Sequence, residues 1–198
     1  MANVVLLNSG GSNYTSLLAA FRRLGANCEL STDPERILRA SHVVLPGVGS
    51  AASAMQAIQS QNLAPVITAL QQPLLGICLG MQILFDASEE SGIDCLGLIP
   101  GRVCQLPVSE GIRVPHMGWN RVQNKKAHPL LKNLDDRDFY FVHSYAVAEG
   151  EFSIGLCSHG QTFTAAVACN NRMGVQFHPE RSGEQGQQLL ANFLEMSE

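Results

Sequence analysis

The segment LLGICLGMQ, residues 74–82, joins a short apolar run to a run with helical periodicity. Its first four residues predict a buried strand, and the residues from Gly80 to Ala87 predict a helix. Glycines flank Cys78 at a spacing of two, so the turn between the two elements has the pattern G-x-C-x-G. A buried strand that passes directly into a helix is typical of an α/β protein with a parallel sheet.

The residues around this segment repeat the same alternation of strand and helix. Predicted strands lie at 4–7, 27–30, 42–45 and 74–77, and predicted helices at 15–24, 34–40, 51–60, 63–70 and 80–87. Since strands and helices alternate along the chain, we expect an open, mostly parallel sheet with helices on both faces.

The pattern changes after Gly97. Short β-like runs are predicted at 101–106, 139–142, 145–148, 154–157, 163–168 and 173–177, before a last helix at 186–194. These runs predict antiparallel strands added to the parallel sheet. The stretch PHMGWN, residues 115–120, is interpreted as a polar loop between them.

The composition argues against several functional classes. The length of 198 residues fits a single domain over residues 1–198. A net charge of −4 argues against nucleic acid as a ligand, because phosphate binding requires clustered Lys and Arg side chains. No apolar run approaches the roughly 20 residues that span a bilayer, so no membrane partner is expected. Six scattered cysteines, without a C-x-x-C pair or an export signal, predict reduced thiols in the cytoplasm and no metal site.

The G-x-C-x-G turn has the form of a nucleophile elbow in which the nucleophile is a thiol. The glycines allow neighbouring chain to approach closely, and the start of the following helix favours a thiolate at Cys78. The backbone N–H of Leu79 would then be placed to bind an oxyanion. The segment by itself fits either a catalytic cysteine or a buried structural one.

A base for such a thiol is available about 100 residues later, in GVQFHPE, residues 174–180. An apolar strand would deliver His178 at its carboxyl end, where open α/β sheets place their functional sites. Glu180 follows two residues later, and this spacing lets its carboxylate orient the imidazole. The alternative at this point is a hydrogen-bonded surface histidine.

A third short motif, PGVG at residues 46–49, follows the strand at 42–45. It lacks the glycines and the lysine of a phosphate-binding loop. Because it lies one βα unit before the elbow, the Gly47–Val48 peptide could supply a second oxyanion donor. Spacing alone favours a simple turn between a strand and a helix.

Together the three motifs resemble those of the class I, triad-type glutamine amidotransferases. The resemblance runs the whole length of the chain and implies a flavodoxin-like fold without a cofactor. It implies Cys78 as nucleophile, His178 as general base and acid, and Glu180 as the partner of His178. It further implies glutamine as the substrate, with the following residues in its binding site: Gly49, Gln82, His143 and Ser144.

Two further stretches, PHMGWN and YFVHSY at residues 140–145, narrow the resemblance within that family. They are similar to the branch that serves histidine biosynthesis, in which a stand-alone glutaminase forms a heterodimer with a (β/α)8-barrel cyclase. That cyclase makes imidazole glycerol phosphate and aminoimidazole carboxamide ribonucleotide. The resemblance favours an interface role for Met117, Trp119 and Asn120, whereas a single tryptophan is by default a core residue.

Other functions remain alternatives at this point. A glutaminase of pyridoxal phosphate synthesis should lack PHMGWN, and a peptidase or chaperone of the same fold would not require Gln82 or the His178-Pro179-Glu180 turn. A glutamine-sensing subunit without activity would not need the three candidate catalytic residues. One departure from the family pattern is the first turn, Asn8 to Asn13, where D-Y-G-x-G-N is expected, and this puts partner contacts at that turn in doubt.

Overall fold

The computed structural model describes residues 2–8, 14–108 and 111–197. The strands in these ranges are β1 (Asn3–Leu7), β2 (Asn27–Ser31), β3 (His42–Gly47), β4 (Leu74–Cys78), β5 (Ala87–Ser88), β6 (Ile93–Asp94), β7 (Arg102–Gln105), β8 (His116–Asn124), β9 (Arg137–His143), β10 (Tyr145–Val147), β11 (Ser153–His159), β12 (Gln161–Cys169) and β13 (Arg172–Val175). The helices are α1 (Tyr14–Arg23), α2 (Pro34–Arg39), α3 (Ala51–Ser60), α4 (Leu63–Ala69), α5 (Leu79–Gln82) and α6 (Gly183–Leu194).

One large sheet contains two halves of different strand direction. Its order is β2-β1-β3-β4-β13-β12-β11-β8-β9. The pairs from β2 to β13 are parallel, and those from β13 to β9 are antiparallel. A smaller sheet, β10-β7-β5-β6, packs beside it. The α/β class, the parallel core and the added antiparallel strands are therefore confirmed.

The parallel half is covered on both faces, because successive side chains of a strand point in opposite directions. In β1, Val4 and Leu6 pack into one apolar cluster and Val5 and Leu7 into another. Helices α1 and α6 contribute to the first cluster, and α2, α3 and α4 contribute to the second. Within the described residues, no helix is long and apolar enough to cross a membrane.

The helix predicted after the elbow is shorter than its sequence pattern indicates. It ends at Gln82, and residues 87–88 form strand β5 instead of a last helical turn. The carbonyl oxygens of Ile83 and Leu84 accept from the backbone N–H groups of Leu96 and Leu98, at 2.9 and 2.8 Å. The following loop thus takes the acceptors that a longer helix would use for itself.

The interpretation of PHMGWN as a loop is wrong. Residues 116–124 form the long strand β8, which pairs with β9 from His116 opposite His143 to Val122 opposite Arg137. Gly118 and Asn120 have low β propensity, and the alternation of burial along β8 becomes clear once its partner strand is known. Neither β5 nor β6 was predicted, because each is two residues long.

Candidate active site

Cys78 lies at the junction of β4 and α5 in a backbone conformation that side chains rarely adopt. Its φ is +55° and its ψ is −112°. A Cβ atom on Gly76 would lie 2.6 Å from the carbonyl oxygen of Gly80, and one on Gly80 would lie 1.7 Å from that of Leu45. The turn therefore fits only if both positions lack a side chain, and it holds the thiol in a strained, fixed position.

His178 and Glu180 follow β13, the strand that pairs with β4. The Nδ1 atom of His178 lies 3.0 Å from Oε1 of Glu180, whose side chain is 1% exposed. The backbone N–H of His178 donates to the carbonyl of Tyr140 at 2.9 Å. A 3₁₀ turn, Pro179–Arg181, brings the carboxylate back to the imidazole, as the His-Pro-Glu spacing predicted.

The environment of His178 favours its protonated form. Burial lowers the pKa of the imidazole, but hydrogen bonds and charge interactions with Cys78 and Glu180 outweigh burial and raise the pKa to about 10. Since Nδ1 faces Glu180, Nε2 is the ring nitrogen available to the sulfur. The sulfur of Cys78 also lies 3.7 Å from the carbonyl oxygen of Val142. The arrangement fits a nucleophilic thiol paired with a histidine that acts as its general base and acid.

The PGVG turn lies directly against the elbow. Gly47 is the strand partner of Cys78 in the β3–β4 pair, and a Cβ atom on Gly47 would lie 2.6 Å from the backbone nitrogen of Gly80. Gly49 has a φ of +92°. The structure thus brings Gly47 and Val48 beside the thiol, as the order of the βα units predicted.

A cavity of about 300 Å³ opens beside the sulfur. Its walls contain these sequence-predicted residues: Gly47, Val48, Gly49, Cys78, Leu79, Gln82, His143, Ser144 and His178. Glu180 does not line this cavity and lies behind His178. The cavity therefore collects the predicted nucleophile, base, oxyanion donors and substrate-binding residues in one place.

The side chain of Gln82 is held firmly in the cavity wall. Its Nε2 atom donates to the carbonyl of Tyr145 at 2.8 Å and to Oε1 of Gln176 at 3.0 Å. Both N–H groups of the amide are used, so its oxygen is the atom left for a donor in the cavity.

The ring of His143 is likewise engaged within the protein. Nδ1 lies 2.8 Å from the carbonyl of Tyr145, and Nε2 lies 2.9 Å from Nδ1 of His116. Burial lowers the pKa of His143 to about 4 and that of His116 to about 3. Both rings are therefore neutral near pH 7, and a ligand would meet the backbone at His143 rather than a charged imidazole.

Among the residues of the site that were not predicted from the sequence are two with polar side chains, Glu90 and Gln176. The carboxylate of Glu90 lies in the cavity wall, where its Oε2 accepts from the backbone N–H of Ala51 at 2.6 Å. Gln176 is completely buried, and its Nε2 donates to the sulfur of Cys78 at 3.8 Å. Glu90 stands in an ordinary acidic stretch, but Gln176 lies two residues before His178, and this proximity was an available signal.

The predicted interface residues lie on two faces of β8. Met117 and Trp119 are 64% and 57% exposed and share one face. There the ring of Trp119 packs edge-on against the ring of Tyr140, with 6.1 Å between the ring centroids. Asn120 points to the other face and donates to Nε2 of His116 at 3.1 Å and to the carbonyl of Ser158 at 2.9 Å. The structure therefore separates Asn120 from the other two.

No group of three or more His, Cys, Asp or Glu side chains in the described ranges is arranged to hold a metal ion. The first turn, Asn8 to Asn13, differs from the family pattern, but Ser9 to Asn13 lie outside the described residues.

Comparison with known proteins shows the family of the chain. The class I glutamine amidotransferase family profile matches residues 5–196. The chain is 49% identical over 197 residues to the imidazole glycerol phosphate synthase subunit HisH of Xylella fastidiosa, covering 99% of this chain and 98% of that protein. It is 45% identical over 201 residues to the HisH subunit of Vibrio cholerae, covering 98% of each.

A solved structure extends the comparison to the fold. The crystal structure of a glutamine amidotransferase superposes with a TM-score of 0.75, at 18% identity, covering 97% of each chain. At this level of identity the likeness concerns the fold alone.

Proposed function

Because the chain belongs to the class I glutamine amidotransferase family, we propose that it is the glutaminase subunit of an imidazole glycerol phosphate synthase, in histidine biosynthesis. The observation that carries the proposal is the strained thiol of Cys78 beside a buried His178–Glu180 pair, at one cavity. The fold alone would not suffice, because one fold hosts many functions.

The reaction begins when the Cys78 thiolate attacks the side-chain carbonyl carbon of glutamine. The oxygen of the tetrahedral intermediate is bound by the N–H of Leu79 and by a donor from the Gly47–Val48 region. His178 gives its proton to the amide nitrogen as the carbon–nitrogen bond breaks, so that ammonia leaves and a glutamyl thioester remains on the sulfur.

His178, now neutral, takes a proton from water, and the resulting hydroxide equivalent attacks the thioester carbon. Glutamate leaves and the thiolate is restored. Glu180 accepts from Nδ1 throughout, which keeps Nε2 directed at the reacting atoms and stabilises the imidazolium.

Groups on the cavity wall hold the amino-acid end of glutamine. The carboxylate of Glu90 and the amide oxygen of Gln82 suit the α-ammonium group, because both are acceptors. Gly49 and the backbone at His143 and Ser144 complete the wall on the α-carboxylate side.

The ammonia passes to a cyclase subunit without entering solvent, since free ammonia is mostly protonated near neutral pH and then is no nucleophile. The printed names of the relatives are those of one subunit of a synthase, which supports a complex with such a partner. The partner proposed here is a (β/α)8-barrel cyclase in a heterodimer, with imidazole glycerol phosphate and aminoimidazole carboxamide ribonucleotide as products.

The exposed pair Met117 and Trp119 on β8 forms the partner surface in this proposal. Large exposed apolar side chains of this kind are typical hot spots of interfaces. Asn120 acts behind this surface, where its amide donates to His116.

Residues 1–198 form a single amidotransferase domain in this proposal, supported by the family match over residues 5–196. The chemistry uses side chains and backbone groups and requires no cofactor. All six cysteines are free thiols, which supports a reducing compartment, the cytoplasm.

The test measures the synthase reaction of the complex with either glutamine or ammonium salt as nitrogen source. Cys78→Ala should abolish glutamine-dependent synthesis and leave ammonia-dependent synthesis intact, because the cyclase does not use the thiol. Cys157→Ala is the matched control, since Cys157 is also buried but lies outside the cavity. Unimpaired glutamine use by the Cys78→Ala complex would refute the proposal.

A further inference from the structure

Gln176 is a buried polar residue that the reaction described above does not use. Its side chain is 0% exposed and lies between the sulfur of Cys78 and the amide of Gln82. Burial of an amide costs free energy unless its groups are hydrogen-bonded, so Gln176 can be buried only because Cys78 and Gln82 are its hydrogen-bond partners.

The direction of each hydrogen bond around Gln176 is fixed. The carbonyl of Tyr145 can only accept, so the group of Gln82 that lies 2.8 Å from it is the NH₂ group. That NH₂ group also donates to Gln176, so the atom of Gln176 that faces Gln82 is Oε1, at 3.0 Å. Nε2 of Gln176 therefore faces the sulfur of Cys78, at 3.8 Å, and donates to it.

The neutral pair His143 and His116 fixes the other end of this series of hydrogen bonds. The Tyr145 carbonyl accepts from Nδ1 of His143 at 2.8 Å, which leaves Nε2 of His143 to accept from Nδ1 of His116 at 2.9 Å. Asn120 donates to the remaining nitrogen of His116 at 3.1 Å. Each member thus has one orientation, and the donor at the sulfur is set by a continuous network.

We propose that Gln176 is a positioning residue of the thiol site, which donates to the Cys78 sulfur and holds the Gln82 amide with its oxygen towards the cavity. The inference rests on the proposed glutaminase function, and it assigns that site a second donor to the sulfur besides His178. A hydrogen bond to a charged acceptor is stronger than one to a neutral acceptor, so the contact favours thiolate over thiol.

The first readout is the rate of Cys78 alkylation by iodoacetamide against pH, resolved by peptide mass spectrometry on the full-length chain. Gln176→Leu should displace this profile to higher pH and slow alkylation at pH 7 about tenfold, the size of effect expected for one hydrogen bond to a charged group. In the complex with the cyclase, the same variant should raise the KM for glutamine, because Gln82 loses one of its anchors.

A second variant separates the two contacts. In Gln176→Glu a carboxylate still accepts from Gln82, so the KM for glutamine should stay near that of the wild type. In its ionised form this side chain cannot donate to the sulfur and repels a thiolate, so at the alkaline end of the profile alkylation should be slowed at least as much as in Gln176→Leu. This variant keeps the shape of the side chain and serves if the leucine variant fails to fold.

Gln72→Leu is the matched control. Gln72 is also buried, at 5% exposure, and its Nε2 donates to the carbonyl of Ile37 at 2.9 Å, away from the cavity. Its alkylation profile and KM should equal those of the wild type. A wild-type profile in both Gln176 variants, or the same displacement in Gln72→Leu, would overturn the inference. Failure of the wild-type complex to use glutamine would instead refute the proposed function, because alkylation does not depend on turnover.

Discussion

Two regions of the large sheet differ in how completely their strands are buried. Strands β3 and β4 of the parallel half are buried at every residue, whereas β8 of the antiparallel half is mostly exposed or half-buried. The nucleophile stands at the end of the first kind of strand, and the proposed partner surface lies on the second. The junction is β13, parallel to β4 and antiparallel to β12, and it leads directly to His178.

This difference suits the two regions to separate tasks. A strand packed on both faces cannot shift, so it holds the strained thiol and the PGVG turn in register. A strand with one exposed face can offer side chains to another protein without loss of its own core. Changes in β3 and β4 should therefore affect fold and chemistry together, and changes on the exposed face of β8 should affect association alone.

The largest effect is expected for Gly80→Ala. A Cβ atom there would lie 1.7 Å from the carbonyl oxygen of Leu45, so the elbow and the end of β3 must separate. We expect a loss of about 3 kcal/mol or more in the free energy of unfolding by urea, the upper range for overpacked sites, together with loss of glutaminase activity. Gly150→Ala is the control, because its Cβ would meet no atom within 4 Å. Equal stability of the two variants would contradict the close packing of the elbow.

Glu180→Gln should reduce glutamine turnover without unfolding the chain. The amide can still accept from His178, but the lost charge lowers the pKa of the imidazole from about 10 towards its ordinary value of 6.5. We expect turnover to fall by about 100-fold or more, the range of general acid–base contributions.

The raised pKa of His178 also makes the stability of the wild-type protein depend on pH. The pKa of His178 is raised, so its stabilising contribution is complete below pH 6.5 and is lost as the pH rises through about 10. NMR titration of the His178 ring should show proton loss near pH 10 in the wild type and clearly lower in Glu180→Gln. A ring that titrates near 6.5 in both proteins would contradict the assigned role of Glu180.

Trp119→Ala should weaken partner binding and leave the fold intact. Its ring is 57% exposed, so its removal creates no cavity. Truncation of an interface hot spot costs about 2 kcal/mol, or roughly a 30-fold rise in the Kd for the cyclase by calorimetry. Leu38→Ala is the control, as Leu38 is 50% exposed on helix α2. Identical Kd values for the two variants would show that Trp119 is not part of the interface.

The smallest effect is expected for Arg121→Ala. Arg121 lies 3.1 Å from Asp138 and 3.5 Å from Asp136, but all three side chains are about half exposed. Water and salt screen such pairs, so they contribute little to stability. The midpoint of urea unfolding should be unchanged within error, and a clear decrease would show that this edge of the sheet depends on its ion pairs.

The sequence predicted the parallel half well, because buried strands between helices leave a strong local pattern. The strand before Cys78 and the helices at 51–60 and 63–70 lie within a residue or two of their predicted bounds. The elbow and the His-Pro-Glu turn were recognisable for the same reason, since each is set by residues close together in the chain.

The antiparallel half was less predictable, because its strands are defined by pairing with distant partners. PHMGWN was interpreted as a loop, although β9 holds it as a strand. The elbow helix was predicted too long, because the loop that takes its carbonyl groups lies beyond it in the chain. Glu90 was missed, since only the folded chain brings it to the cavity, whereas Gln176 was missed although it lies two residues before His178.

The cysteines provide the most direct test of the central claim, that Cys78 is the nucleophile of a glutamine site. Burial raises the pKa of the thiols of Cys28 and Cys157 to about 12 and that of Cys95 to about 11, so these are poor nucleophiles.

The measurement is irreversible inactivation by a glutamine analogue that carries an electrophilic carbon in place of the side-chain amide. The predicted result is one label per chain, on the peptide that contains Cys78, with protection by glutamine and loss of glutamine-dependent activity in proportion to labelling. Inactivation with the label on another cysteine, or full activity after Cys78 is labelled, would contradict the account.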